Sequence, residues 1–427
     1  MTGGTEIHRT VDAVWRLESA RIIAGLARMV RDVGLAQELA QDALVAALEQ
    51  WPESGVPDNP GAWLMAIAKR RAVDRIRRDQ TLNRKLEELG HRLETEDSGA
   101  ELDAVLDDCI EDDLLRLVFT ACHPVLPTPS RVALTLRMLG GLATDEIARA
   151  FLVPEPTVAQ RIVRAKRALA EAGVPFEVPA AEERAGRLSS VLEVIYLIFN
   201  EGYAATAGDD LIRADLCLEA LRLGRLLGGL APDEPEVHGL VALMEIQASR
   251  SRARTGPSGE PVPLLDQNRA LWDQLLIRRG YAALLRAEKI GGPPGPYVLQ
   301  AAIAACHAQA REAADTDWAR ISALYEILAR RAPSPVVELN RAVAVGMAHG
   351  PEKGLEIVDG LADEAALKNY HPLPSVRGDL LFRLGRYVEA QTEFERAASL
   401  TRNEAERTLL LDRASTAGRR TTPRNEA

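Results

Sequence analysis

The chain has 427 residues, of which 47% are hydrophobic and 27% are charged. This length exceeds a single small binding module, since one domain takes roughly 150 residues, and this composition excludes a disordered chain. The net charge of −10 argues against nucleic-acid binding by the whole surface, although a local basic stripe still acts over about 10 Å. Only 4% of the residues are aromatic, and the long stretches rich in Ala, Leu, Arg and Glu favour an all-α fold.

The cysteines and the apolar segments predict a cytoplasmic protein. The four cysteines lie far apart without a C-x-x-C pair, so we expect neither a disulfide framework nor a zinc site. The densest apolar run, residues 194–199, is much shorter than the ~20 residues that a bilayer requires. The first 12 residues are polar and do not resemble an export signal. We therefore expect no contact with a membrane.

The first 80 residues predict three helices, the third of them basic. Helical spacing over residues 13–50 indicates two helices, and the prolines, glycine and asparagine of residues 51–60 stop the second. Asn59 and Pro60 then start a third helix that runs to about residue 78. Residues 61–80 carry six cations against two acids. This is a basic stripe, although such a stripe taken alone is equally well a solvated face.

An acidic linker and a helix-turn-helix pattern follow. Residues 94–113 contain ten acids and no Lys or Arg, which is typical of a solvated linker that becomes a helix. A short helix over residues 145–151, capped by Thr144, is followed by a brief turn and a helix that begins near Glu155. This spacing is that of a helix-turn-helix, although two structural helices in an all-α protein also imitate it.

The second helix of this pattern has an apolar row and a basic flank. At 100° per residue, an inward row leaves a polar set on the opposite side. The inward row is Val158, Ile162, Ala165 and Leu169, and the opposite flank carries Thr157, Arg161 and Arg164, with Gln160 beside them. Residues 155–170 hold four cations against one acid, the charge that phosphate contacts need.

These blocks resemble the extracytoplasmic-function (ECF) type of bacterial RNA polymerase sigma factor over about residues 10–172. AQELAQDAL at 36–44 resembles the region 2 helix that docks on the polymerase clamp, and WLMAIAKR with VDRIRR at 63–78 resembles the helix that faces the −10 element. EIA at 146–148 and the basic helix after it resemble the region 4 helix-turn-helix that reads the −35 element. The turn departs from the family, because Leu152 and Pro154 replace its usual Gly and Ser.

The resemblance implies three groups of functional residues and two partners, the core polymerase (clamp and flap) and promoter DNA. The polymerase-docking residues are Glu38, Gln41 and Asp42. The residues for the −10 element, in or after a loop over residues 54–60 that captures a flipped base, are Ser54, Asn59, Lys69, Arg70, Arg75 and Arg78. The residues for the −35 element are Thr157, Gln160, Arg161, Arg164 and Arg167.

The rest of the chain exceeds an ordinary member of that family. Leu384, Gly385, Tyr387, Ala390 and Phe394 follow the tetratricopeptide (TPR) pattern, and a weaker copy lies at residues 346–358. We expect stacked helix pairs with a concave surface for a partner or for regions 2 and 4. The resulting domains are region 2, an acidic linker, region 4, a second linker and a TPR-like α-solenoid, at residues 1–80, 81–112, 113–174, 175–187 and 188–427.

Two segments of the extension have no assigned role. Residues 249–273 form its most polar and irregular stretch, which is either a contact surface or an ordinary connection between helix pairs. Asn200 to Tyr203 is either a binding patch or a helix C-terminus in which Gly202 adopts the left-handed conformation.

We expect a sigma factor under the control of its own extension. No catalytic signature, metal-ligand spacing or cofactor motif is present, so we expect neither enzyme activity nor a bound cofactor or metal. One alternative is a free-standing helix-turn-helix regulator with a TPR-like sensor domain. Another is a scaffold in which the helix-turn-helix is structural.

Overall fold

The computed structural model describes residues 3–88, 110–204, 213–257 and 260–421. Within these ranges the predicted all-α fold is confirmed, with eighteen α-helices, no strand and one isolated bridge between Thr255 and Pro261. Most of the predicted acidic linker, residues 89–109, lies outside the described residues. The chain divides into two compact units, residues 1–197 and 198–427.

The first unit is a bundle of helices. Asp32 caps the second helix by accepting a hydrogen bond from Leu35 N at 2.8 Å, and Asn59 caps the third by accepting one from Ala62 N at 3.0 Å. The helices are α1 (Gly3–Val30), α2 (Val33–Ser54), α3 (Pro60–Glu88), α4 (Ile110–Ala121), α5 (Thr128–Met138), α6 (Thr144–Ala150), α7 (Glu155–Glu171) and α8 (Ala181–Tyr203).

The ends of α2 and α3 differ from the prediction. α2 continues through Pro52 and ends where Gly55 takes a φ of 81°, with Gly55 N donating to Trp51 O at 3.0 Å. α3 runs to Glu88 rather than to about residue 78, because residues 79–88 contain no Gly or Pro that would stop it. Residues 79–88 therefore continue α3 beyond its predicted end.

The helix α8 begins at Ala181, inside the range 175–187 that the sequence predicts to be a linker. Its first half packs on α4 and α5: Ser190 Oγ donates to Cys122 O at 2.6 Å, and Arg187 donates to Phe119 O at 3.2 Å. The first compact unit accordingly extends to residue 197. Pro175 and Pro179 predict the interruption before α8, but Glu182 and Glu183 in the first turn favour a helix that begins before residue 188.

The second unit is a succession of helices in which sequence neighbours pack together. The predicted left-handed Gly202 is wrong: it lies inside α8, where a Cβ would come within 2.6 Å of Cys217 N. A Cβ on Gly378 would likewise come too close to the buried ring of Phe394. The helices are α9 (Ala214–Leu230), α10 (Pro235–Ala248), α11 (Gln274–Ile290), α12 (Pro296–Gln309), α13 (Trp318–Arg331), α14 (Pro335–His349), α15 (Pro351–Asp359), α16 (Pro372–Arg383), α17 (Tyr387–Leu400) and α18 (Glu404–Thr421).

Candidate nucleic-acid interface

The turn between α6 and α7 sets the position of the second helix of the helix-turn-helix. Thr144 is the first residue of α6 and not its cap, since Glu146 reaches back to accept a hydrogen bond from Ala143 N at 2.8 Å. Val153 N donates to Ala148 O at 3.1 Å, which closes the turn. Leu152 has a φ of 48°, so the turn uses the left-handed conformation without the glycine that usually supplies it.

The helix α7 has the two faces that the sequence predicts. The inward row of Val158, Ile162, Ala165 and Leu169 is buried. On the other side, Gln160, Arg164 and Arg167 are exposed, and Thr157 and Arg161 are half-buried.

The charges on this outer face of α7 differ in their pairing. Arg161 and Arg164 have no ion-pair partner among the described residues. Arg167 pairs with Glu171 at 2.6 Å, and this hydrogen bond raises the pKa of Arg167. Two guanidinium groups of α7 are thus open to phosphate, and the third must first exchange its partner.

Val163 is a residue of this face that sequence reasoning missed. Its side chain is 64% exposed and lies on the same side of α7 as Gln160 and Arg167. An apolar side chain at this position can contact a thymine methyl group in the major groove. The sequence signal that could have identified Val163 is that it is apolar but does not belong to the inward row of α7.

Lys166, the fourth cation of α7, lies on a different side. A Cβ on Gly34 would come within 3.5 Å of its stem, so the α2 backbone packs against this lysine. Burial lowers the pKa of Lys166, and the charges of Glu38 and Asp32 oppose this shift. Lys166 therefore contributes to packing between α7 and α2 and not to the exposed basic face.

The basic helix α3 is buried on one side and charged on the other. Leu64, Ala68 and Ala72 follow one another at intervals of four residues in the core. Of the predicted −10 residues on this helix, Lys69 is half-buried and the others are exposed, namely Arg70, Arg75 and Arg78.

The other two predicted −10 residues flank the loop before α3, since Ser54 is the last residue of α2 and Asn59 directly precedes Pro60. Ser54 and Asn59 are exposed, but each also has a structural hydrogen bond: Ser54 Oγ donates to Gln50 O at 2.9 Å, and Asn59 is the cap of α3. Trp63 is half-buried, and its ring lies 5.4 Å from the buried ring of Trp51 in an edge-on arrangement. This packing fixes the loop against the start of α3.

The predicted polymerase-docking residues lie on the outer face of α2. Glu38 and Asp42 are exposed one turn apart, and Gln41 is half-buried beside them. Asp42 forms an ion pair of 3.4 Å with Arg71 of α3. Val45, which the prediction omitted, continues the same stripe and is 49% exposed. The face therefore combines exposed acids with an exposed apolar side chain.

Regions 2 and 4 contact each other within the first unit. Arg28 of α1 lies 3.3 Å from the carboxylate of Asp113 at the start of α4, and Arg116 lies 2.8 Å from the same carboxylate. Burial raises the pKa of Asp113, and both arginines oppose this shift. Arg16 of α1 also pairs with Glu146 of α6 at 2.6 Å. The pairs of Arg28 with Asp113 and of Arg16 with Glu146 join residues far apart in sequence, and no local pattern predicted them.

Membrane-spanning helices and metal-binding clusters are both absent from the described ranges. None of the helices described is long and apolar enough to cross a bilayer. The same part of the chain holds no group of three His, Cys, Asp or Glu side chains arranged to bind a metal ion.

Three family models match parts of the chain. The model of Sigma-70 region 2 matches residues 16–81, and the model of Sigma-70, region 4 matches residues 116–169. These matches cover the basic helix α3 and the helix-turn-helix of α6 and α7. A family of unknown function matches residues 187–288. No solved structure matches the chain.

Several proteins are similar in sequence. An uncharacterized protein of Rhizobium meliloti is 45% identical over 393 residues, which cover 91% of this chain and 92% of the relative. The probable ECF RNA polymerase sigma factor SigI of Mycobacterium tuberculosis is 27% identical over 44% of this chain and 68% of the relative. The ECF RNA polymerase sigma factor SigK of Mycobacterium tuberculosis is 31% identical over 35% of this chain and 78% of the relative. With both sigma regions present, the chain belongs to the ECF family of RNA polymerase sigma factors.

Proposed function

We propose that this sigma factor docks on core RNA polymerase through the outer face of α2 and reads two promoter elements with α3 and α7, under the control of its C-terminal helices. The observation that carries this proposal is the outer face of α7. There Arg161 and Arg164 lack ion-pair partners among the described residues, and the opposite side is held in the core by a continuous apolar row. A rigid helix with free guanidinium groups suits major-groove binding.

The −35 element is contacted by the exposed side of α7, that is by Thr157, Gln160, Arg161, Arg164 and Arg167. The arginines neutralise phosphates or donate to guanine, and Gln160 pairs with adenine. The turn at Leu152 sets how far α7 enters the groove, because it fixes the angle between α6 and α7.

The −10 element is contacted by α3 and the loop before it, with Lys69, Arg70, Arg75 and Arg78 on the phosphates. Ser54 and Asn59 are exposed at the two ends of the loop that is proposed to hold an unstacked base. Melting is then driven by binding energy, and RNA synthesis belongs to the polymerase.

The second unit is proposed to be a TPR-like regulatory domain. Its last helices pack in successive pairs, and Gly385, with a φ of 77°, makes the tight turn between α16 and α17. Stacked pairs of this kind form a surface that binds another protein segment, including regions 2 and 4 of the same chain. Transcription by residues 1–197 alone tests this: activity that rises or disappears supports regulation, and unchanged activity contradicts it.

Binding to purified core polymerase tests the docking face. Asp42→Ala and Gln41→Ala are expected to weaken binding about tenfold each, as for side chains central to a protein interface. Arg71→Ala is the matched control, because it breaks the same ion pair from the α3 side and leaves the α2 face intact. Equal effects of Arg71→Ala and Asp42→Ala would mean that the ion pair matters and the docking face does not.

Gel shifts of promoter DNA with and without core polymerase separate the two other functions. A free-standing regulator would shift promoter DNA in gels without polymerase and would ignore core enzyme. A scaffold with a structural helix-turn-helix would shift no promoter DNA in either condition.

A further inference from the structure

Residues 249–273 of the second unit, here called the 249–273 loop, connect α10 to α11, and the structure describes residues 249–257 and 260–273 of this loop. Asp273 N donates to Ser249 O at 2.9 Å, so the two ends of the loop are adjacent. Trp272 and Ala253 of the loop are buried in a small hydrophobic cluster. The loop is therefore anchored to the helices around it, and loops held on a helical scaffold frequently carry function.

Three arginines of this loop, Arg250, Arg254 and Arg269, form an arginine cluster around two aromatic rings. Arg254 lies 3.8 Å and Arg250 lies 5.7 Å from the centroid of the Tyr203 ring. Arg250 and Arg269 lie 5.8 Å and 4.8 Å from the centroid of the Trp272 ring. Because Arg250 lies near both rings, the three guanidinium groups are neighbours. The rings hold them in place together with hydrogen bonds that Arg250 and Arg254 donate to Tyr203 and that Arg269 donates to Ala310 O.

The positive charge of the arginine cluster is not balanced by an ion pair. Over the described residues, none of the three guanidinium groups has a carboxylate oxygen within 4.0 Å. Glu406 and Asp315 act only at longer range, on Arg254 and Arg269 respectively. Burial lowers the pKa of Arg254 and of Arg269, and the charge of Arg250 lowers both further. The cluster is therefore a place where an added negative charge is stabilised.

Several hydrogen-bond donors of the cluster are also unused. Arg250 Nε, Arg269 Nε and Trp272 Nε1 are buried and have no acceptor within the described ranges. Trp272 is only 3% exposed, so water does not satisfy its indole N–H in this conformation. Buried donors without an acceptor cost free energy, which an acceptor group supplied from outside would recover.

We propose that the arginine cluster is a binding site for a small oxyanion, a phosphate or a carboxylate group, that accepts hydrogen bonds from Arg250, Arg269 and Trp272. The planar guanidinium fork matches the geometry of both groups. Each arginine of the cluster is half-buried, so an anion can approach from solvent, and it reaches the buried Nε and indole N–H groups when the side chains that cover them move aside. This inference concerns the second unit alone and does not depend on the proposed function.

Isothermal titration of the full chain with inorganic phosphate and with succinate, at low ionic strength, tests the site. We expect saturable binding of one anion per chain, and the tighter probe identifies the group. Arg250→Gln should weaken binding about tenfold, and Trp272→Phe, which keeps the ring and removes the N–H, about threefold or more. Arg252→Gln is the matched control, because Arg252 is exposed in the same loop and should leave binding unchanged.

His307 provides a second measurement. Its ring packs edge-on against Trp318 at 5.1 Å, and burial together with the charges of Arg250 and Arg269 lowers the pKa of His307 to about 4. An anion bound to those arginines offsets their charge, so NMR titration with phosphate should show the pKa of His307 rising toward its ordinary value.

Three results would overturn the proposal. They are the absence of saturable binding by either probe, an equal fall in affinity in Arg252→Gln and Arg250→Gln, and an unchanged pKa of His307 in the bound protein. If Arg250→Gln fails to fold, the affinity of Trp272→Phe for the anion tests the proposal instead. An unchanged affinity in that variant would mean that the indole N–H does not bind the anion, which contradicts the proposed site.

Discussion

Leu152 is a large residue in a conformation that favours glycine. Its φ of 48° costs backbone conformational energy, and because its side chain is 55% exposed, burial offsets little of that cost. We expect Leu152→Gly to raise the free energy of unfolding of the first unit by up to about 1 kcal/mol, and Leu152→Val to lower it, because a β-branched residue tolerates positive φ poorly. Denaturant unfolding measures both. A less stable glycine variant would show that the Leu152 side chain has a partner.

His307 makes the stability of the second unit depend on pH. Its pKa is lowered to about 4 in the folded protein, whereas the unfolded chain titrates near 6.5. As the pH falls below 6.5, His307 is protonated in the unfolded state but stays neutral in the folded state. The contribution of His307 to the free energy of unfolding is therefore complete above pH 6.5 and is lost as the pH falls toward 4. We expect a loss on the order of 2 kcal/mol between pH 7 and pH 5.

Urea unfolding of the wild type and of His307→Asn at both pH values measures this effect. The asparagine variant is neutral throughout and should lose less stability than the wild type on acidification. Parallel losses in the two proteins would assign the pH dependence to other groups.

At the scale of an element, the charged face of α7 predicts a salt effect. Removing one side chain that neutralises a phosphate reduces the slope of log binding constant against log salt by roughly 0.9. Arg161→Ala and Arg164→Ala should each weaken promoter binding by the polymerase holoenzyme and lower this slope. Arg184→Ala is the control, an exposed arginine of α8 outside the helix-turn-helix. Slopes unchanged in all three variants would exclude phosphate binding by α7.

The packing of α16 on α17 depends on a glycine. A Cβ on Gly378 would lie 2.8 Å from the buried Phe394 ring, over which Arg413 lies 4.4 Å from the centroid. Gly378→Ala should therefore lower the free energy of unfolding by about 1 kcal/mol or more, although alanine favours the helix itself. Gly186→Ala is the matched control in open space on α8 and should be neutral or stabilising. Thermal unfolding of both variants separates the two effects.

At the scale of the whole molecule, α8 decides where the sigma part of the chain ends. Ser190 and Arg187 bind the carbonyl groups at the end of α4, and Arg131 of α5 donates to Ser190 and to Glu193. A truncation after Pro179 removes these partners and leaves Arg131 without its hydrogen bonds to α8. We expect residues 1–179 to melt at a lower temperature than residues 1–197, and equal melting temperatures would contradict a structural role for α8.

The fold class and most of the α7 surface could be predicted because they depend on short-range patterns. The row Val158, Ile162, Ala165 and Leu169 is buried as the helical period requires, and Asn59 caps α3 as its side chain allows. The prediction failed where local signals were ambiguous. Pro175 and Pro179 indicated a linker that extends further than the structure allows. Gly202 resembled a helix end, but its close approach to Cys217 N is the reason that a glycine is needed there.

By itself the sequence determined the all-α class, the apolar side of α7, and where positive charge concentrates along α3 and α7. These properties follow from residues within one or two turns of each other. Only the tertiary structure decided that Asp113 lies between Arg28 and Arg116, that Lys166 packs against α2, and that Arg250 lies between two aromatic rings. Such contacts join residues distant in sequence, and their energy depends on burial and distance, which exist only once the helices have packed.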